Sequence, residues 1–570
     1  MRLTYGLCDD SYKLTAGSYF VFRPESVADM PKSLELVSGR RDSAAFQLLL
    51  TADADFTLST AAHYTLSQDW SLPVVRIAAD PGLRVFIEDM HEDDDRRLRA
   101  DALLTDTQLT VRAGETRALW IEKEIPADFA PGAYTLTTRL LLSDRDSDET
   151  LIGTVTAALQ VYPFVLPDTR EQRFHLDLWQ HSSNLARKHE VPLWSDAHFE
   201  VLERYVRSLG ELGQKAVTLV VSEIPWRGQS CFNAYREAAN LFEYSIIPVT
   251  RRPDGSFFYD YSVMQRYIDL CARYGIDREL SLYGLSGVWT EKDEPQLVPD
   301  YPDNIRIRYL DEADGCMKFI RESAQVDDYI ASLEQYFIRT GQIGRVRLAA
   351  DEPGDTARYR RALAHLAEVA PAFRFKAAIN HAEFIPEFGR EVWDFAPFIH
   401  CLCREYDKIR EYKATMPGKR FLWYVCCGPD FPNTFLKSRL TESWLIGVLT
   451  AYAGLDGFLR WNYTVLNDDP RADIRYSCFP AGDINFVYPA RSGGPLLTLR
   501  WKALQRGIRF YELLVRLRER DEAAFREACG MVIFGDLKDF LEPPKDTAAL
   551  CSTDSADYRR LMRFLLEKLS

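Results

Sequence analysis

Arg345-Val-Arg-Leu-Ala-Ala-Asp-Glu-Pro-Gly354 is the stretch that decides how this chain is read. Val346, Leu348 and Ala350 alternate as in a short buried strand, and Pro353-Gly354 breaks the pleat directly after two adjacent carboxylic acids. Once the pleat is broken, consecutive side chains need not point to opposite faces, so Asp351 and Glu352 can share one pocket. Two carboxyls held together resist ionising together. One is pushed towards the protonated form that a general acid needs while its neighbour stays anionic, a pairing suited to a glycosidase. The plainer alternative is a solvated turn leading into a helix cap, and these two residues alone leave both readings open. An amphipathic stretch over 356–370 follows, so the segment reads as one strand–helix unit with its polar residues at the strand's C-terminal end.

The same unit recurs outward from this point. Apolar, strand-like runs lie at 174–179, 216–221, 280–285, 345–350, 375–379, 398–403, 421–425 and 457–461. Helical periodicity intervenes at 196–212, 262–274, 328–340 and 437–452, with Ser195 or Asp196 as the first cap. Eight such units within residues 166–515 predict a (β/α)₈ TIM barrel, whose active site lies at the C-terminal ends of the strands. On this count Asp351-Glu352 ends strand four. The other strand ends bring Asp177, Trp179 and His181, then Glu223 and Trp226, then Asn380 and His381, Tyr406, Trp423 and Tyr424, and finally Trp461 and Tyr463. Singly, each is explained as a packed core residue; together they describe a cleft of aromatics and a few polar groups, the way a ring bearing hydroxyls is held.

Residues 1–165 carry a different pattern. Short alternating or apolar segments such as Ala45-Phe-Gln-Leu-Leu-Leu50 and Arg84-Val-Phe-Ile87 are separated by turns such as Ala130-Pro-Gly-Ala133, which predicts a β-sandwich. Pro163 to Pro167 reads as a stiff linker. Residues 516–570 read as a helical C-terminal extension, closed by a helix over 557–569.

Composition narrows the function. With 570 residues, 46% of them apolar, the chain is long enough for two or three domains, and a net charge of −14 without a Lys/Arg block argues against nucleic acid. Neither a signal peptide nor a run of roughly eighteen apolar residues is read, so the expectation is a cytoplasmic protein without a membrane partner. The eleven cysteines show no CxxC and the nine histidines no HExxH, so no metal and no cofactor is expected.

Leu176-Asp-Leu-Trp-Gln-His181, Asp351-Glu-Pro353, Arg460-Trp-Asn-Tyr463 and the stretch from Gly482-Asp through Val-Tyr-Pro489 to Arg500, running into Gly507-Ile-Arg-Phe-Tyr-Glu512, resemble the family called domain of unknown function 4091, which overlaps glycoside hydrolase family 123. The resemblance covers roughly 173–514. It implies a β-N-acetylgalactosaminidase that retains configuration by substrate-assisted catalysis, with Glu352 as general acid/base and Asp351 orienting the 2-acetamido group. Neighbouring carboxyls at one strand end suit that chemistry better than the two-sided acid and nucleophile, which need a separation of about 5–5.5 Å across the scissile bond. Tyr406 is the candidate for holding the acetamido oxygen, with Trp423 and Trp461 as the floor of the sugar site. The expected partner is an oligosaccharide or glycoside. Two alternatives stand beside this: a non-catalytic carbohydrate-binding protein on a degenerate barrel, and a glycosidase of other sugar specificity.

Overall fold

The computed structural model describes all residues except 17–25, 63–70, 145–146, 228, 230–241, 291–293, 382 and 477–478. Its N-terminal part folds into two six-stranded sheets. One is antiparallel throughout and has Asp42–Ala52, Thr116–Ile125 and Leu83–Glu92 near its centre; the other is mixed and centres on Thr150–Val165, Gly132–Ser143 and Val74–Ala79. The inward-facing residues of both meet in one apolar core, with Phe46, Leu48, Leu119 and Ile121 from the first sheet against Leu140, Val155, Ala157 and Leu159 from the second.

Beyond Leu166 the chain alternates strands and helices. We label the strands β1 (His175–Leu178), β2 (Ala216–Val220), β3 (Glu279–Tyr283), β4 (Val346–Asp351), β5 (Arg374–Ile379), β6 (Val392–Pro397), β7 (Arg420–Phe421) and β8 (Gly457–Arg460). Strands β2 to β7 form one parallel sheet in sequence order, and β1 pairs with β8, also in parallel. Parallel bridges from Leu176 to Gln214 and from Tyr424 to Leu459 tie this pair to both edges of the six-stranded sheet. The pairing therefore runs from β1 round to β8 and back to β1. All residues of β2, β3 and β4 are buried, as expected for strands covered on both faces.

One strand lies elsewhere than expected. The run at 398–403 is helical, Ile399–Arg404, and the sixth strand is the preceding Val392–Pro397. A short apolar run does not distinguish strand from helix by periodicity, and Asp394 disguised the true strand. That carboxylate is buried and paired with Arg347, which is why a charge sits in the middle of a core strand. Sequence periodicity also missed a four-stranded sheet built from Val249–Arg251, Phe257–Tyr259, Arg308–Asp311 and Cys316–Phe319, inserted between β2 and β4.

The C-terminal part is helical, with Leu499–Arg520, Glu522–Gly530 and Ser555–Leu569. The longest of these helices anchors the N-terminal sheets: Arg500 makes a buried ion pair with Asp101, and Leu103 N–H donates to Leu497 O at 2.8 Å. No helix among the described residues is long and apolar enough to cross a membrane.

Candidate active site

Strand β4 delivers Asp351, and the chain turns at once. Glu352 has φ of +44°, a left-handed conformation that costs energy for any residue with a Cβ. Its N–H donates to Ala378 O of β5 at 2.9 Å, and Pro353 then prevents the strand from continuing. The left-handed residue cancels the alternation of the strand, so both carboxyls open into the same cleft. Packing beneath them is close. A Cβ on Gly287 would come within 2.7 Å of Ala350 Cβ, and its φ of +61° likewise requires glycine.

Each carboxyl has its own donors. Gln229 Nε2 donates to Asp351 Oδ2 at 2.7 Å, the Trp226 indole also reaches this carboxyl, and Trp289 Nε1 donates to the Asp351 main-chain oxygen at 2.8 Å. Glu352 accepts from Asn380 Nδ2 at 2.9 Å and from the Tyr424 hydroxyl. Burial pushes both carboxyls above the ordinary carboxylate range. Asp351 is raised further by the charge of Glu352, while Tyr424, His381 and Asn380 offset part of the effect on Glu352. The two titrate as a unit that keeps one proton to higher pH than a free carboxylate would.

The pair stands between two cavities. One, of about 240 Å³, is walled by Trp179, His181, Trp226, Trp289, Tyr424, Trp461 and Phe479; the other, of about 320 Å³, is lined by Asn380, His381, Arg358 and Asp303. Trp289, Asp351 and Glu352 border both. His181 is buried and its Nε2 lies 3.1 Å from Trp461 O; burial lowers its pKa to about 4, so it is neutral. Trp179 and Trp226 stack with ring centroids 5.8 Å apart.

The structure thus brings together Trp179, His181, Trp226, Asn380, His381, Tyr424 and Trp461 around Asp351 and Glu352. Five other residues that the sequence placed on this rim lie elsewhere, the first being Glu223, which is buried and paired with Arg308 of the inserted sheet at 2.9 Å. Asp177 points into the interior below the cleft, where Lys376 holds it. Tyr406 starts the helix Tyr406–Thr415 and donates to Ala453 O at 3.2 Å, because the displaced sixth strand carries the following loop away from the rim. Trp423 alternates with Tyr424 and so faces outward, donating to Thr450 Oγ1 at 2.8 Å. Tyr463 is buried against Ser208 Oγ at 2.7 Å. Gln229 and Trp289 border the cleft without any local signal, since they sit on connections whose course the strand pattern does not define. Among the described residues no cluster of His, Cys, Asp and Glu could hold a metal ion.

Two carboxylic acids at the mouth of an aromatic-walled cleft are the equipment of a glycoside hydrolase. The family model "Glycoside hydrolase 123, catalytic domain" matches residues 179–517, and the chain belongs to glycoside hydrolase family 123. Among solved structures, a family 123 glycoside hydrolase from Clostridium perfringens, analysed for the details of glycolipid glycan hydrolysis, superposes with a TM-score of 0.74. It is 16% identical, and the match covers 100% of this chain and 97% of that one, so the two share a fold. A β-D-glucuronidase from Dictyoglomus thermophilum is 9% identical over 84% of this chain and 69% of its own, with a TM-score of 0.30 that carries no argument. Among curated proteins none matches the chain.

Proposed function

We propose that the protein is a retaining β-N-acetylgalactosaminidase, or acts on a closely related 2-acetamido sugar, and that the substrate's own acetamide is its nucleophile. The observation that carries this reading is the pair itself: among the described residues lining the 240 Å³ cavity, Asp351 and Glu352 are the only acids. The neighbouring cavity adds Asp303 and Asp355, but Asp303 is paired with Arg358 at 2.9 Å and Asp355 caps the helix Thr356–Val369. Among the described residues of the two cavities no free carboxylate is left to attack C1 from the far side of the ring.

In this mechanism the proton that the pair retains sits on Glu352 once the sugar is bound. The acetamide N–H donates to Asp351 and favours its anion against the burial and the Glu352 charge that otherwise raise it, and the nucleophilicity of the acetamide oxygen rises in turn. That oxygen attacks C1 as the C1–O bond to the leaving group breaks, and Glu352 gives its proton to the departing oxygen. The cyclic oxazolinium then opens when Glu352 deprotonates a water that attacks C1, and two inversions restore the original configuration. Hydrogen-bond chemistry supports this division of labour. Asp351 meets an amide and an indole, which only donate to it and favour its anion, whereas the Tyr424 hydroxyl can turn to accept from a protonated Glu352. Trp179, Trp226 and Trp461 supply flat apolar walls for the sugar.

The same reading takes the cyclic strand pairing as a (β/α)₈ barrel over 166–515, preceded by a β-sandwich domain over 1–165 and followed by a helical extension over 516–570. The test compares nitrophenyl β-N-acetylgalactosaminide with the plain β-galactoside, and adds a thiazoline mimic of the cyclised sugar as inhibitor. Rapid release from the first, almost none from the second and strong inhibition by the thiazoline are expected, because the site is shaped for the cyclic intermediate. A covalent glycosyl ester on any Asp or Glu, trapped with a fluorinated galactoside and seen by mass spectrometry, would return the enzyme to the two-carboxylate class.

A further inference from the structure

Two adjacent cysteines, Cys426 and Cys427, belong to the wall of the 240 Å³ cavity, and the mechanism above gives them no part. Their sulfurs are 3.9 Å apart, Cys427 is exposed and Cys426 half-buried. They follow directly on Tyr424 and Val425, so the segment that carries the thiols also carries the hydroxyl that holds Glu352. The backbone around them is tied down. Asn433 Nδ2 donates to Cys426 O at 3.1 Å, and Cys426 N–H donates to Gly428 O at 3.1 Å.

The other described cysteines do not share this setting. Cys271, Cys401, Cys403, Cys529 and Cys551 are buried, and burial pushes each thiol up to about 12, which leaves them unreactive. Cys316 is exposed, but on the inserted four-stranded sheet and outside both cavities, and the half-buried Cys8 lies in the N-terminal sheets with its sulfur 3.6 Å from that of Met30. The hydrogen bond from Cys426 lowers the Cys427 thiol, favouring the thiolate that reacts with oxidants.

We propose that Cys426 and Cys427 form a redox-active dithiol in the substrate cleft, which a hydroperoxide oxidises to a disulfide and which thereby switches glycoside hydrolysis off. The switching rests on the reading of this cavity as the sugar site. With hydrogen peroxide as the hydroperoxide, the Cys427 thiolate first attacks one peroxide oxygen; the S–O bond forms, the O–O bond breaks, and the hydroxide released takes up a proton and leaves as water. Cys426 then attacks the resulting sulfenic sulfur, the S–S bond forms, the S–O bond breaks, and the thiol proton leaves with hydroxide as the second water. Two electrons pass from the two sulfurs to the peroxide. Neighbouring residues bring their Cα atoms about 3.8 Å apart, closer than the usual span for a disulfide, so the ring is strained and easily reduced by a thiol. To form the bond the sulfurs must close from 3.9 Å to about 2.0 Å, a change made next to Tyr424 and hence next to the acid it positions.

The test treats the full chain with hydrogen peroxide, maps the products by peptide mass spectrometry and measures nitrophenyl glycoside turnover before and after dithiothreitol. The expected result is loss of two hydrogens from the peptide holding Cys426 and Cys427, a fall in turnover of roughly tenfold or more as the acid is displaced, and recovery on reduction. Cys427→Ser, judged against its own reduced rate, is expected to keep a ratio of oxidised to reduced turnover near one, and Cys316→Ser to behave as the wild type. Oxidation of Cys316 without any disulfide at 426–427 overturns the proposal, as does a disulfide that leaves turnover unchanged. If the protein cleaves no nitrophenyl sugar, the proposed activity fails by itself; the mass change and calorimetric sugar binding by the two redox forms still decide the switch.

Discussion

At the scale of single residues, Asp351 and Glu352 were legible because their chemistry is written in adjacency: two acids next to each other where a strand stops. The device that makes them one site was not, because no residue code announces that Glu352 takes φ of +44°. Replacing Glu352 with Gln removes a transferable proton while keeping the Asn380 and Tyr424 contacts. Turnover on a substrate with a poor leaving group is expected to fall by roughly 10²–10⁴-fold, the usual worth of a general acid, and by less on a nitrophenyl glycoside. Wild-type turnover of the natural disaccharide by E352Q would show that Glu352 is only a turn residue. The raised pKa of Glu352 also sets the sign of the pH dependence. As the proposed general acid, Glu352 must be protonated, so kcat/KM is expected to fall as pH rises through a pKa above the usual carboxylate range, and that alkaline limb is expected to vanish in the pH profile of E352Q.

At the scale of elements, strands that look alike in periodicity differ in what they bury. The interior of the parallel sheet holds a charged cluster in which Lys376 of β5 bridges Asp177 of β1 and Glu279 of β3, all buried. This makes Asp177 a structural anion, although the sequence had offered it as a substrate ligand from its place near a strand end. Its charge is tolerated there because Lys376 stays protonated, held up by both carboxylates against its own burial. Lys376→Met leaves two buried acids without their shared cation, and thermal or denaturant unfolding is expected to show a loss of roughly 3–5 kcal/mol. Below the lowered Tm the variant is expected to keep its KM, since Asp177 does not border the cavity proposed to hold the sugar. A higher KM with unchanged Tm would put Asp177 back in the binding site.

At the scale of the whole molecule, the two halves are joined by one apolar core that includes Leu49, Ala100 and Trp120 of the N-terminal sheets with Leu499, Trp501 and Leu504 of the long C-terminal helix. Buried acids near this junction set the response to pH. Glu88 is fully buried, neither of its carboxyl oxygens has a hydrogen-bond partner among the described residues, and burial, with the nearby charge of Asp101, raises it to about 8. Its folded pKa lies above the unfolded one, so the folded state holds a proton that the unfolded state releases, and stability falls as pH rises to about 8. The buried histidines His175 and His181 are depressed, to about 3 and about 4, and cost stability only as pH falls below about 6.5. Between pH 6.5 and 8 the acids therefore dominate, and Glu88 alone is expected to remove roughly 2 kcal/mol. Calorimetry should find a lower Tm at pH 8 than at 6.5, with most of the difference absent in Glu88→Gln; a flat profile in the wild type would contradict this.

The sequence by itself determined what depends on local order. Alternating residues make the N-terminal strands, the repeated strand–helix pattern makes the parallel sheet, and the motif at 351–353 carries the acids, because period and adjacency are properties of neighbours in the chain. Only the tertiary structure decided which rim residues meet. Trp423 and Tyr424 are adjacent, yet the pleat sends one outward to Thr450 and the other to Glu352. Tyr406 left the rim because β6 ends at Pro397, while Gln229 and Trp289 reached it from connections with no periodicity to read. A cleft is assembled from segments far apart in sequence, and the direction of each side chain there depends on strand register and loop path, which the packing of the whole chain sets.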